Sequence, residues 1–437
     1  MGFRARAIPP LPIDIGSPGG NPQVYMLACL CSSFDCQGFS MQPSAGSIQR
    51  VLVAPDALKE TCSADEASLA IEQGVRRRLP TVEVDRCPIA DGGEGTLAAM
   101  VVGMGLQPQA CTVPGPRADR PPVDARIGVT PDRRSAVVEL AQASGLQLLD
   151  PADRDPAKTG TGGTGVLLQE SLGHLETASD LRPKIILAVG GSSTVDGGIG
   201  ALSMLGVRFQ ADGELLRPPL SGADLLRVDA IEVPRDVRNA WRGVDLRIAV
   251  DVTNPLLGET GAARVFGPQK GADPEGVERL ESGMSRWASL LAREFGEDQV
   301  RQAAAADGAG AAGGIGFGLR VVLGAGMESG FDVVARSLDL ESRVGACDLV
   351  ITSEGRLDSQ TMMGKGPGRL LQMGWRRGVP VMIVPGSLGD LSEPDRRRFA
   401  GIVPLESVCE PGDSIARPAE ALRTATERLL MPLFGDG

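Results

Sequence analysis

The run 51-VLVAPD-56 is apolar until Pro55-Asp56 and then stops. A short unbroken apolar run bounded by a turn signal reads as a strand buried on both faces, as in a parallel sheet. Working outward, Ser63 stands three residues before Glu66, a capping box that opens a helix. Ala67, Ala70, Ile71 and Gly74 recur at helical spacing and mark its inner face. The next segment, 82-VEVDRCPIA-90, alternates and then turns apolar, as a second strand would. Strand, helix and strand in this order predict a parallel sheet at the amino end.

The carboxyl end repeats the pattern with 348-DLVIT-352, 379-VPVMIVPG-386 and 401-GIVPL-405. Between the ends the character changes. From about 107 to 150, short runs such as 136-AVVEL-140 are separated by Pro/Gly turns, which predicts antiparallel strands. Two buried-strand signals follow, 185-IILAVGG-191 and 246-LRIAVDV-252. Asp273-Pro274 opens a long helix, with Val277, Leu280, Met284, Trp287 and Leu291 on one face. Residues 308–318 hold six glycines, a loop entering a tightly packed helix. The chain therefore reads as α/β, with two α/β domains, the parallel one assembled from both chain ends.

Composition sets limits on function. The 437 residues are enough for two cores. A formal net charge of -11 argues against a nucleic acid or an anionic membrane as the main partner. No apolar run approaches the roughly 18 residues of a membrane-spanning helix. The eight cysteines contain no CxxC and there is one histidine, so a histidine-based zinc site is not expected. Scattered cysteines suit a reducing cytoplasm. A homodimer is compatible with the sequence, which does not fix an oligomeric state. Residues 1–49 differ from the rest, with Pro9, Pro10 and Pro12 and with Cys29, Cys31 and Cys36. They read as a disordered extension or a start assigned too early, with Met41 the true start. The three cysteines lack a fourth metal ligand nearby.

Four predicted strands end in a loop with an acid: Asp91, Asp196, Asp251 and Glu354. The carboxyl ends of parallel strands are where α/β proteins bind ligands. Glycines there let a ligand approach backbone N–H groups, and helix N-termini favour phosphate. Carboxylates fit a phosphate site when a divalent cation joins it. Taken singly, each acid could equally cap a helix or hold a turn; the four together point to a site. Lysine usage adds to this. Of 44 basic residues only Lys59, Lys158, Lys184, Lys270 and Lys365 are lysine, and all but Lys184 adjoin loops of small residues. A compact ammonium is a good phosphate partner, although any one of them could be a solvated loop residue. Other motifs fail. 308-GAGAAG-313 follows 303-AAAAD-307 and not a buried strand, so it is no dinucleotide fingerprint. There is no P-loop and no G-x-S-x-G elbow, and His174 falls in a predicted helix, 166-VLLQESLGHLE-176.

Six stretches read together as a set: 53-VAPDALKETCSADEA-67, 88-PIADGGEGT-96, 188-AVGGSSTVDGG-198, 250-VDVTNPLLGETGAARVFGPQKGA-272, 309-AGAAGGIG-316 and 350-VITSEGRLDSQTMMGKGP-367. From about residue 50 onward the chain resembles the glycerate kinase family of the bacterial glycerate 2-kinase type. It departs from the family pattern at Val195, Ser353 and Met363. The resemblance implies phosphorylation of D-glycerate by ATP, with Mg²⁺, most often on the 2-hydroxyl. It also implies a flavodoxin-like domain over 50–96 and 325–437, a second domain with a mixed sheet over 97–324, and an active site in the cleft between them.

Under that reading Asp196 or Asp251 accepts the proton of the glycerate hydroxyl, with Lys59 beside them in the chemistry. Arg356 grips the glycerate carboxylate, since its planar fork suits bidentate pairing. Asp91, Gly92, Gly93 and Ser192 line the substrate. Lys365, Lys270, Gly190, Gly191, Gly313 and Gly314 serve the nucleotide, and Asp91, Glu94 and Glu354 serve the metal. A kinase of another small hydroxy acid and a non-catalytic glycerate or nucleotide sensor are the competing readings.

Overall fold

Val51, Leu52 and Val53 have no solvent exposure, as a strand inside a parallel sheet requires. The computed structural model describes residues 46, 48–58, 61–176, 182–362, 364, 366–409 and 416–434. Of the two compact units of the chain, Met1–Ser40 and Met41–Gly437, all of these belong to the second. The expectations for residues 1–45, with Cys29, Cys31, Cys36 and Met41, lie outside the described residues, as do Lys59, Met363 and Lys365.

In chain order the strands are β1 (Arg50–Val53), β2 (Glu83–Arg86), β3 (Gln107–Val113), β4 (Val123–Val129), β5 (Ser135–Glu139), β6 (Lys184–Ala188), β7 (Arg208–Ala211), β8 (Glu214–Leu215), β9 (Ala230–Glu232), β10 (Asp245–Val250), β11 (Gly326–Ser329), β12 (Leu349–Leu357), β13 (Val381–Leu388) and β14 (Gly401–Ile402). The first sheet runs β14-β13-β12-β1-β2, parallel throughout. Its strands come from both chain ends, and the order is the flavodoxin-like one. The second sheet runs β11-β10-β6-β5-β4-β3. Strand β5 is antiparallel to β4, as 136-AVVEL-140 predicts, but parallel to β6 on its other side. The sheet is therefore mixed, and only its β3–β5 end has the antiparallel character expected for 107–150. Strand β11 pairs with β10, so this sheet runs past residue 324. A hairpin of β7 and β8, turning at Asp212-Gly213 with both residues at positive φ, joins β9 in a small third sheet.

Side-chain alternation stacks the two large sheets on one shared apolar layer. Val51 and Val53 face one core with Ile351 and Met382, while Leu52 faces another with Val350 and Ile383. That second core also receives Val137, Ile186 and Ala249, one face of β5, β6 and β10. Their neighbours Val138, Leu187 and Ile248 turn to the opposite core of the mixed sheet. The middle layer is filled by the helices Thr96–Met104 and Gly330–Ser337, through Leu97, Met100, Phe331 and Val334. Period-two alternation with both faces buried is what unbroken apolar strands require.

Local capping fixes the helices. The Ser63 hydroxyl accepts from Glu66 N at 3.2 Å, and the Glu66 carboxylate accepts from Ser63 N at 3.0 Å. Asp273 caps Pro274–Phe295 by accepting from Gly276 N at 2.7 Å. That helix buries Val277, Leu280, Met284, Trp287 and Leu291, the predicted face. Among the described residues no helix is long and apolar enough to cross a membrane.

Candidate active site

The loop leaving β2 crosses from the parallel sheet to the carboxyl edge of the mixed sheet. Its stem is tied to β1, where Cys87 N donates to Val53 O at 2.8 Å and Ile89 N to Pro55 O at 2.9 Å. Asp91 Oδ1 then accepts from Gly93 N at 3.1 Å, and the Thr96 hydroxyl donates to Gly93 O at 2.7 Å. Gly92, at φ 90°, is in the left-handed region that side chains disfavour. Glu139, at the end of β5, meets the far side of the loop. Its two carboxylate oxygens accept from Gly95 N at 3.0 Å and Leu97 N at 3.1 Å. Burial pushes the Glu139 carboxyl up, and the two amide donors oppose that shift. Glu139 was not singled out from the sequence. In 136-AVVEL-140 it shows only as one polar residue ending a strand, and its partners lie more than 40 positions away.

Three glycine contacts bring the site together. A methyl group on Gly190 would fall 2.4 Å from Cα of Gly93, and Gly190 N donates to Gly92 O at 3.4 Å. A methyl group on Gly330 would fall 1.9 Å from Asp91 O. The Gly330 amide in turn donates to Asp251 Oδ1 at 3.1 Å. Asp91, Gly92, Gly93, Gly190 and Asp251 thus converge, and Glu94, exposed, lies beside Gly191. Among the described residues no three acidic, cysteine or histidine side chains form a preformed ion cage. Asp91 and Glu94 do share one short loop, an oxygen donor set of the size Mg²⁺ takes when phosphate and water complete its shell.

Other predicted residues are interior. Asp196 has no exposure, and its Oδ2 accepts from Thr161 N at 2.7 Å, the Thr161 hydroxyl at 2.8 Å and Gly200 N at 3.2 Å. Its Oδ1 accepts from Gly198 N at 3.0 Å. With four hydrogen bonds from the chain itself, this carboxylate organises the 192–200 loop. Lys270, 2% exposed, donates to Ser192 Oγ at 2.7 Å and Thr194 O at 2.8 Å. Burial drives its pKa down to about 7 against the pull of Asp196. Gly313 packs on the same loop, where a methyl group would fall 2.0 Å from Thr194 O, and Gly314 is closed in by Leu256 and Met284. Trp287 Nε1 donates to Gly197 O at 3.1 Å. Ser192, expected at the substrate, and Lys270, Gly313 and Gly314, expected at the nucleotide, thus lie in or packed against the 192–200 loop. The motif 158-KTGTGGTG-165 supplies further braces. The Thr159 hydroxyl donates to Ser193 O at 2.8 Å, and Ser144 and Thr164 share a hydrogen bond of 2.8 Å.

Glu354 and Arg356 lie on β12. Glu354, expected at the metal, is buried and accepts from the Thr361 hydroxyl at 2.8 Å. The Arg356 side chain is 66% exposed and 3.7 Å from Asp358. Two surface cavities, of about 440 and 360 Å³, are lined by other segments, one by Ser407–Cys409 and Arg417–Thr424, the other around Arg117 and Leu149. Neither cavity is lined by the residues that meet around Gly190 and Gly330.

A sequence model of the glycerate kinase family matches residues 51–433. The chain is 39% identical over 344 residues to a protein of Halalkalibacterium halodurans named glycerate kinase, covering 78% of this chain and 86% of the relative. It is 37% identical over 342 residues to a protein of Escherichia coli K12 named glycerate 2-kinase, with the same coverage. A crystal structure from Salmonella typhimurium LT2, of a protein assigned by name to glycerate kinase 2, superimposes with a TM-score of 0.74 at 36% identity, over 87% of this chain and 97% of that one.

Proposed function

The chain belongs to the glycerate kinase family, and from that premise we propose that it transfers the γ-phosphoryl group of ATP to the 2-hydroxyl of D-glycerate, giving 2-phosphoglycerate and ADP. The observation that carries the reading is the meeting of the Asp91 backbone carbonyl and the Asp251 carboxylate at Gly330, on the carboxyl edge of the mixed sheet. The 2-hydroxyl is chosen on the likeness to the Escherichia coli protein named glycerate 2-kinase.

Phosphoryl transfer depends on positioning and charge neutralisation. Asp251, exposed at the end of β10, accepts the proton of the glycerate hydroxyl. The freed oxygen bonds to the γ-phosphorus, the bond from that phosphorus to the β–γ bridging oxygen breaks, and ADP leaves. Asp251 then returns its proton to solvent. Arg356 pairs with the glycerate carboxylate, and Lys59 and Lys365 neutralise phosphate oxygens. Gly190 and Gly191 let phosphate approach the backbone. Asp91 and Glu94 would hold Mg²⁺, which when bound neutralises phosphate charge. A nucleotide substrate and the unpaired described cysteines fit a cytoplasmic enzyme.

The test is an assay of ADP release with D-glycerate, with L-glycerate and tartronate as controls, and phosphorus NMR of the product. D-glycerate-dependent release with phosphate on C2 is the expected result. Phosphate on C3 would overturn the regiochemistry, and a preference for tartronate would make this a kinase of another hydroxy acid.

A further inference from the structure

The geometry points to Glu139 as a positioning residue for the proposed reaction, one that fixes the loop bearing Asp91 and Glu94 without touching a substrate. The inference rests on the functional reading above. Glu139 is 4% exposed and belongs to β5 of the mixed sheet, whereas the loop it holds issues from β2 of the parallel sheet. Its Oε1 and Oε2 accept from Gly95 N and Leu97 N, at the start of the helix Thr96–Met104. Carboxylate bonds to amides at a helix start are charge-assisted and directional. The two bonds are split across two oxygens, so the carboxylate acts as a fork that sets both distance and rotation.

Beyond its stem on β1 and the close glycine approaches, few polar bonds hold the loop in place. Asp91 Oδ1 and the Thr96 hydroxyl both bond within the loop, to Gly93. Among the described residues its polar links to the mixed sheet are Glu139 and the longer bond from Gly190 N to Gly92 O, at 3.4 Å. Gly92 is packed against Gly330 and Ala249, whereas Gly95 has open space around it, so the end of the loop that Glu139 holds is the one that steric contact leaves free to shift. A shift of about 1 Å at a reacting group can cost about 100-fold in rate. Glu139 is thus placed to convert the rigidity of β5 into a fixed location for Asp91 and Glu94.

The test compares the full-length protein with Glu139→Ala and Glu139→Gln. Kinetics with D-glycerate and ATP are read beside amide hydrogen exchange of peptides spanning 91–97 and the β5 and β6 strands. Glutamine keeps one acceptor oxygen and turns its amide group toward the other donor, so it restores half of the fork. The expected outcome is a fall in kcat of about 100-fold for Glu139→Ala, partial recovery for Glu139→Gln, and faster exchange confined to 91–97. Unchanged kcat in Glu139→Ala overturns the inference. So does exchange that rises equally in the β5 and β6 peptides, which would make Glu139 a general core residue. If the parent protein turns over no glycerate, the functional reading fails, and the exchange pattern alone still decides whether Glu139 holds the loop.

Discussion

Asp196 and Asp251 look equivalent in sequence, each an acid just past an apolar strand, and differ entirely in surroundings. Asp196 accepts four hydrogen bonds in a site without solvent, while Asp251 is exposed beside Gly330. Asp196→Asn keeps one acceptor oxygen, best used for the three donors at Oδ2, and sets its NH₂ against Gly198 N. One unsatisfied buried donor costs about 1–3 kcal/mol, so the urea midpoint of Asp196→Asn should fall. Asp251→Asn should keep that midpoint and lose kcat by orders of magnitude. A stable Asp196→Asn, or an active Asp251→Asn, would reverse the two roles. Lys270 gives a test through pH. Its pKa falls from its ordinary 10.5 to about 7 on folding, so between those values the unfolded chain binds the proton and the folded chain does not. Stability from this group is full above the unfolded value and is lost as pH falls toward about 7. Urea midpoints measured between about pH 7 and about pH 9 should climb less steeply in Lys270→Met than in the parent; equal slopes would show that Lys270 stays charged in the fold. The acids and lysines were legible in sequence as unusual residues in glycine loops. Their roles were not, because burial is set by segments far away: Asp196 meets Thr161, 35 positions earlier, and Lys270 meets Ser192, 78 positions earlier.

At the scale of elements, features set by neighbouring residues are legible in the sequence. The Ser63–Glu66 box and the Asp273-Pro274 start depend on residues within one helical turn, and both form. The unbroken runs at 51, 185, 246, 348 and 379 are strands because both faces are covered. The direction of β5 relative to β6 was not legible, since 136-AVVEL-140 carries the same pattern whichever neighbour it meets. The glycines were the least legible feature. Gly313 and Gly190 sit in similar runs, yet one packs against an interior loop and the other touches the backbone of Gly93. Gly190→Ala tests the second contact. Its backbone angle needs no glycine, so the effect would be steric: the new Cβ, 2.4 Å from Gly93 Cα, must push the 91–95 and 190–191 loops apart. Overpacking of this kind costs about 1–3 kcal/mol, and kcat should fall further than that loss of stability alone explains. Full activity in folded Gly190→Ala would mean that this close approach does not matter to the reaction.

Across the whole molecule, the acidic balance and the anionic substrates proposed for it pull in opposite directions. With a net charge of -11, attraction for glycerate and a nucleotide must come from local groups at the strand ends and not from the overall field. Those strand ends belong to two sheets that share one apolar layer, with Leu52 and Val350 meeting it from one side and Val137 and Ile186 from the other. A shared core of this kind couples the sheets, so unfolding either exposes apolar surface of both. The loop 91–95 adds a second coupling, because it starts in one sheet and is held by the other. A ligand bound there therefore stabilises both sheets at once. At a concentration about 100 times its Kd, a ligand that binds only the folded state adds about 2.7 kcal/mol. Scanning calorimetry should then show one transition that moves upward as a whole with Mg²⁺-ATP and again with D-glycerate. In Asp251→Asn the nucleotide shift should persist, because that change removes the proposed base and leaves the proposed phosphate-binding groups in place. Two separated transitions, with only one of them moved by ligand, would show that the sheets unfold independently and that the site belongs to one of them alone.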